Sequence, residues 1–121
     1  MNDVPVVAIV DDDSAVRHSL LRVVQAAGYA AEGFASTDEF LHWLPQRRAD
    51  CVLLDTHMGE MSGFDLQERL AVPIILITGL EDAQTRDRIA KSGAIAHLRK
   101  PYDELTVLDA IRRAVQGWSA A

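Results

Sequence analysis

The stretch VVAIVDDDSAV, Val6 to Val16, decides how the rest of the chain is read. Five apolar residues run into three consecutive carboxylates, and an apolar pattern at helical spacing then begins. Three adjacent Asp repel one another and are poor formers of both helix and strand. A strand that ends on such a group needs a compensating partner, which has to come from elsewhere in the chain.

Two further apolar runs resemble Val6–Val10 in length and character: CVLL (Cys51–Leu54) and IILI (Ile74–Ile77). Runs this short and rich in β-branched residues read as strands buried on both faces, as in a parallel sheet. YAAEGF (Tyr29–Phe34) and IAHL (Ile95–Leu98) have mixed polarity and suit edge strands. Helical patterns lie between. Val16, Leu20, Val23, Val24 and Ala27 recur at helical spacing, with Gly28 as a C-cap. STDEF offers a capping box from Ser36 to Glu39. GFDLQERL is a short helix, DAQTRDRIAKSG a polar one, and Leu105, Leu108, Ile111, Val115 and Trp118 mark the last.

The sum is βα repeated five times. Each parallel connection needs a right-handed crossover, so the expected fold class is α/β, a doubly wound parallel sheet with helices on both faces. Central places for the strong strands give the order 2-1-3-4-5, the flavodoxin-like (βα)5 arrangement. The chain then reverses between strands 1 and 3, where ligands bind at the carboxyl ends.

The bounds agree. The 121 residues fit one domain, 1–121, with 117–121 either a natural tail or the stump of a linker. Apolar residues make up 49% and charged residues 25%, an ordinary globular balance. A net charge of −6 argues against binding nucleic acid through its phosphates. Cys51 is the one cysteine and reads as a buried hydrophobe in a reducing compartment. MNDVPVV lacks the features of a signal peptide, and no apolar run approaches membrane-spanning length, so a cytoplasmic location is expected.

At the carboxyl edge this fold gathers Asp11, Asp12 and Asp13 after strand 1, Asp55 after strand 3, Thr78 after strand 4 and Lys100 after strand 5. Carboxylates held close raise one another's pKa and resist joint ionisation. A hard divalent cation removes the penalty, and oxygen ligands with waters suit Mg²⁺. A lysine and a hydroxyl opposite the metal make a site for a tetrahedral anion. A carboxylate inside it can attack phosphorus and form an acyl phosphate.

With IVDDDSAVR, LLDTHMGEMSG, ILITG and LRKPY in order, the whole chain resembles the receiver domain of two-component response regulators, most closely the nitrogen-fixation regulator type. The resemblance implies that Asp55 is the phospho-acceptor for a sensor histidine kinase. It makes Asp12 the direct Mg²⁺ ligand, Asp11 a ligand acting through a metal-bound water, and Asp55 and the main-chain carbonyl of His57 further members of the metal set, with Mn²⁺ as a substitute metal. Thr78 is the hydroxyl that follows the phosphoryl group, Lys100 pairs with it, Gly79 keeps the site open to a bulky donor, and Lys100–Pro101 is a cis bond. Such a module is not an enzyme in the ordinary sense, although it promotes its own phosphorylation and dephosphorylation. Asp13 is expected to face solvent or cap the following helix. His18 and His42 are expected at the surface.

Three features depart from the family pattern. His97 stands where receivers carry Tyr or Phe as a switch residue beside Thr78. Gly59 replaces a proline. The interval from Asp55 to Thr78 is 23 residues, shorter than usual by roughly a helical turn or more. Ala15, His18, Ser19 and Arg22 on the first helix are the expected docking face for the kinase or a phosphotransfer protein. The fourth helix, fifth strand and fifth helix carry Arg88, Lys91, Arg99, Asp103, Glu104, Asp109 and Arg112, a mixed-sign set suited to phosphorylation-enhanced homodimerisation. The alternative function is an aspartate-nucleophile phosphohydrolase, with Asp11 as nucleophile and Asp13 as general acid/base. It leaves LLDTHMGEMSG without a role. A third reading is a receiver-like interaction module that takes no phosphate.

Overall fold

A computed structural model describes residues 4–44, 49–55, 72–79, 83–92, 94 and 96–117. Its elements are β1 (Val6–Val10), α1 (Ser14–Ala26), β2 (Ala30–Phe34), α2 (Thr37–Trp43), β3 (Cys51–Asp55), β4 (Ile74–Thr78), α3 (Ala83–Ser92), β5 (Ala96–Arg99) and α4 (Glu104–Gly117). The expected helix GFDLQERL, together with His57, Gly59 and residues 118–121, lies outside the described residues.

Among the described residues every strand pairing is parallel, and the sheet order is β2-β1-β3-β4-β5. The apolar runs behave as their composition requires. In β1, β3 and β4 alternate residues face opposite sides of the sheet, and both sides are covered. Val7, Ile9, Leu53, Ile75 and Ile77 pack beneath Leu20 and Val24 of α1 and Val107, Ala110, Ile111 and Ala114 of α4. Ala8, Val10, Val52, Leu54, Ile74 and Leu76 pack on the other side with Phe34, Phe40 and Ala49. Fully burying each large aliphatic side chain stabilises by about 1.5–3 kcal/mol, so these two layers dominate the fold. The edge strands are blunted by exposed polar residues: Glu32 on β2, and His97 and Arg99 on β5.

Capping sets the helix starts. Asp13 precedes α1 in an extended conformation, and its carboxylate accepts from the amides of Ala15 at 2.9 Å and Val16 at 3.2 Å. Ser36 Oγ accepts from Glu39 N at 3.2 Å, while Glu39 Oε2 accepts from Ala35 N at 2.9 Å, a near-reciprocal box at the start of α2. Gly28 follows α1 with φ +98°, a left-handed conformation that favours glycine.

Several strand ends differ from the sequence reading by one residue, and two of these shifts bear on the site. β3 and β4 each run one residue further than their apolar runs, because Asp55 keeps Ile77 as its ladder partner and Thr78 keeps Arg99. Both polar residues therefore sit on the last rung of the sheet and not in the loops beyond it.

Candidate functional site

Register brings the acidic residues together. Val10 is level with Leu54, so the next residues, Asp11 and Asp55, end adjacent strands side by side. Asp11 N still donates to Phe34 O at 3.0 Å, which ties the start of the acidic loop to β2. One carboxylate oxygen from each of Asp11, Asp12 and Asp55 lies within 4.8 Å of the others. Asp11 and Asp55 are 1% and 5% exposed, whereas Asp12 is open to solvent. Three carboxylates at this spacing, two of them buried, form an unfavourable cluster unless a cation joins them.

The remaining members of the set converge on the same place. Lys100 Nζ lies 3.5 Å from Asp55 Oδ2. Its backbone is held by a bond from Lys100 N to Thr78 O at 2.8 Å, and the Lys100–Pro101 peptide is cis. Thr78 is fully buried. A Cβ built on Gly79 would meet Lys100 Cδ at 3.7 Å, an ordinary contact, so the glycine borders the lysine stem. Among the described residues, two buried side-chain oxygens have no hydrogen-bond partner, Asp11 Oδ2 and Thr78 Oγ1. Buried polar atoms are normally satisfied, and these two belong to the predicted set. Hard oxygen donors, an orphaned carboxylate oxygen and a nearby ammonium fit a small divalent cation beside an anion.

The electrostatics point the same way. Burial pushes the Asp11 carboxyl above the usual carboxylate range; the Asp13 amide opposes this, the Asp55 charge adds to it, Lys100 opposes it and Asp12 adds to it. Asp11 Oδ1 accepts that amide at 2.9 Å. Burial, followed by the charges of Asp11 and Asp55, also raises the Tyr102 phenol.

Of the residues expected at the site, Asp11, Asp12, Asp55, Thr78, Gly79 and Lys100 are brought together. The His57 carbonyl falls outside the described residues. His97 is exposed on β5, level with Leu76, and Asp13 caps α1. The sequence reading missed Tyr102, whose ring feels both buried carboxylates, and Arg17, whose Nη1 donates to Asp11 O at 2.8 Å. Tyr102 is the tyrosine of LRKPY, and its residue type alone gives no sign of the part. The helical spacing of Arg17 in DDDSAVR was the only trace of the second.

The model of the response regulator receiver domain matches residues 7–112. The chain belongs to the response regulator receiver domain family. Among its relatives, the response regulator protein TmoT of Ectopseudomonas mendocina is 40% identical over 122 residues, covering 96% of this chain and 56% of that protein. The transcriptional regulatory protein FixJ of Rhizobium meliloti is 33% identical over 120 residues, covering 95% and 59%. The crystal structure of FixJ-N superposes with a TM-score of 0.85 at 32% identity, with each chain fully covered. A response regulator receiver protein from Burkholderia phymatum gives 0.82 at 40% identity, covering 95% of this chain and 97% of that one. The receiver thus spans a little over half the length of TmoT and FixJ. The nitrogen-fixation type of likeness and the flavodoxin-like sheet are as the sequence implied. No described helix is long and apolar enough to cross a membrane.

Proposed function

We propose that Asp55 accepts a phosphoryl group from a phosphohistidine of a sensor kinase or phosphotransfer protein, in a reaction that requires Mg²⁺ or Mn²⁺. The observation that carries this is the cluster of Asp11, Asp12 and Asp55 facing Lys100 on one sheet edge, with an orphaned oxygen on each of Asp11 and Thr78. A bound Mg²⁺ would neutralise the carboxylates and the charge on the transferring phosphoryl group. Asp12 would hold it directly and Asp11 through a water, and Asp55 and the main-chain carbonyl of His57 would complete the oxygens that the chain offers. An Asp55 oxygen attacks phosphorus, the O–P bond forms, the donor's N–P bond breaks, and imidazole leaves with its electron pair. Lys100 holds the phosphoryl oxygens and draws Asp55 into line. Thr78 turns its hydroxyl toward the new phosphate. The same groups promote the later hydrolysis, so the module assists its own phosphorylation and dephosphorylation.

The competing phosphohydrolase reading needs Asp13 as general acid/base. That carboxylate is engaged by two amides at the start of α1, which favours the receiver chemistry. Labelling with a phosphoryl donor, with and without Mg²⁺, tests the proposal. Label on Asp55 supports it, and label on Asp11 or undiminished label in Asp55→Asn overturns it.

The partner is expected on α1, where Ala15, His18, Ser19, Leu21, Arg22 and Gln25 line a groove of about 510 Å³ beside the acidic loop. A cytoplasmic setting follows from a kinase donor. Phosphorylation-enhanced dimerisation through α3, β5 and α4 remains part of the proposal, with His97 turning inward as Thr78 moves. Several of its charges already have intramolecular partners. Lys91 pairs with Asp87 at 3.0 Å, and Asp109 with Arg112 and Arg113 at 2.7 and 3.0 Å. Asp103 accepts from Thr106 N at 2.8 Å. A dimer would have to exchange these pairs, each of small worth at a surface. Sedimentation with and without beryllofluoride and Mg²⁺ checks it; an oligomeric state indifferent to beryllofluoride rules it out.

A further inference from the structure

We infer that Arg17 is a positioning residue for the cation site, and that Gly33 on the edge strand β2 is the notch that lets it act. Three observations converge. Arg17 Nη1 donates to the main-chain oxygen of Asp11 at 2.8 Å, from a partly buried position. A Cβ built on Gly33 would lie 3.1 Å from Arg17 Cγ and 3.2 Å from Arg17 Cδ, and 3.0 Å from Leu21 Cδ1. Asp11 N and its side chain are fixed separately, by Phe34 O at 3.0 Å and by Asp13 N at 2.9 Å.

The physical consequence is specific. A hydrogen bond from a charged donor to a carbonyl is about twice as strong as a neutral one. Here it locks the peptide plane between Asp11 and Asp12. That plane sets the direction in which Asp12, the exposed member of the cluster, leaves the strand end. Arg17 reaches the main-chain oxygen of Asp11, so it acts through the peptide. The stem of Arg17 crosses β2 where any residue larger than glycine would crowd it. The arrangement holds the loop while three like charges at its end push it open, and it relates to the ligands as outer hydrogen-bond partners relate to a metal site elsewhere.

This inference rests on the cation reading of the site, and the experiment separates the two. Mg²⁺ is titrated into the 121-residue chain, following backbone amides of the acidic loop by NMR, for wild type, Arg17→Met, Arg17→Lys, Gly33→Ala and the Arg17→Met/Gly33→Ala pair. Thermal unfolding without metal is recorded alongside. Arg17→Met keeps most of the apolar stem, so it should remain folded and lose Mg²⁺ affinity by about tenfold, the lower end of effects from such outer partners. Arg17→Lys, which restores a charged donor, should recover part of the loss. Gly33→Ala should weaken binding in the wild-type background and have little effect once Arg17 is gone. If wild type does not bind Mg²⁺, the cation reading fails. If wild type binds and Arg17→Met binds within twofold of it, Arg17 merely packs and the inference is overturned. Equal effects of Gly33→Ala in both backgrounds would overturn the notch.

Discussion

The two ends of β1 and β3 carry carboxylates in opposite conditions. At the amino end, Asp50 Oδ2 accepts from Val6 N at 2.8 Å, and Asp50 N donates to Val6 O at 2.8 Å. That reciprocal pair closes the ladder where β1 and β3 begin. At the carboxyl end, Asp11 and Asp55 are buried within reach of each other and of Asp12, and Asp11 Oδ2 has no partner. One end spends its polar groups on holding strands together. The other holds like charges close and leaves oxygens unsatisfied, a condition a fold tolerates when a ligand relieves it.

The sharpest way to break this contrast is Asp55→Asn. Phosphoryl labelling should disappear, while the thermal midpoint without metal should not fall, because a like charge has been removed from a buried cluster. A lowered midpoint would mean that Asp55 is structural after all. The mirror experiment is Asp50→Ala. Losing a hydrogen bond to a charged acceptor should cost about 1.5–3 kcal/mol in denaturant unfolding, with Mg²⁺ affinity within twofold of wild type. Asp13 sharpens the contrast further, since it sits at the chemical end and does structural work. Asp13→Ala should remove about 1 kcal/mol of stability through its cap and leave the labelled residue unchanged.

The last contrast concerns Cys51, in the dry part of β3. Burial is the main cause that pushes its thiol from 9.0 up to about 12. The unfolded chain then ionises first, so the thiol's contribution to stability is full below pH 9.0 and is lost toward pH 12. The stability gap between wild type and Cys51→Ala should narrow across that range, and native-state alkylation should stay slow below it. A gap independent of pH would mean that the thiol is accessible in the folded chain.

The central strands were legible because a segment buried on both faces must be apolar throughout, and Val6–Val10, Cys51–Leu54 and Ile74–Ile77 satisfy that without help from neighbours. Their ends were less legible. Asp55 and Thr78 look like loop residues by composition, yet ladder pairing to Ile77 and Arg99 keeps both in the sheet. Tyr102 and Arg17 escaped notice for a related reason. A half-buried tyrosine and a helix arginine are ordinary in sequence, and only proximity gives them a part.

The sequence by itself determined the alternation of strands and helices, the strand order and the residue types gathered at one sheet edge. Periodicity and burial preference are local properties, and the handedness of the crossovers does the rest. The tertiary structure supplied the physical difference among three identical neighbours. Asp11 is turned inward against Asp55, Asp12 is left exposed within ligand distance, and Asp13 is taken by the amides that open α1. Adjacent residues of one type have the same intrinsic chemistry. What separates them is the dielectric, the register and the hydrogen bonds that β2, β3 and α1 bring to each, and those exist only once the chain has closed on itself.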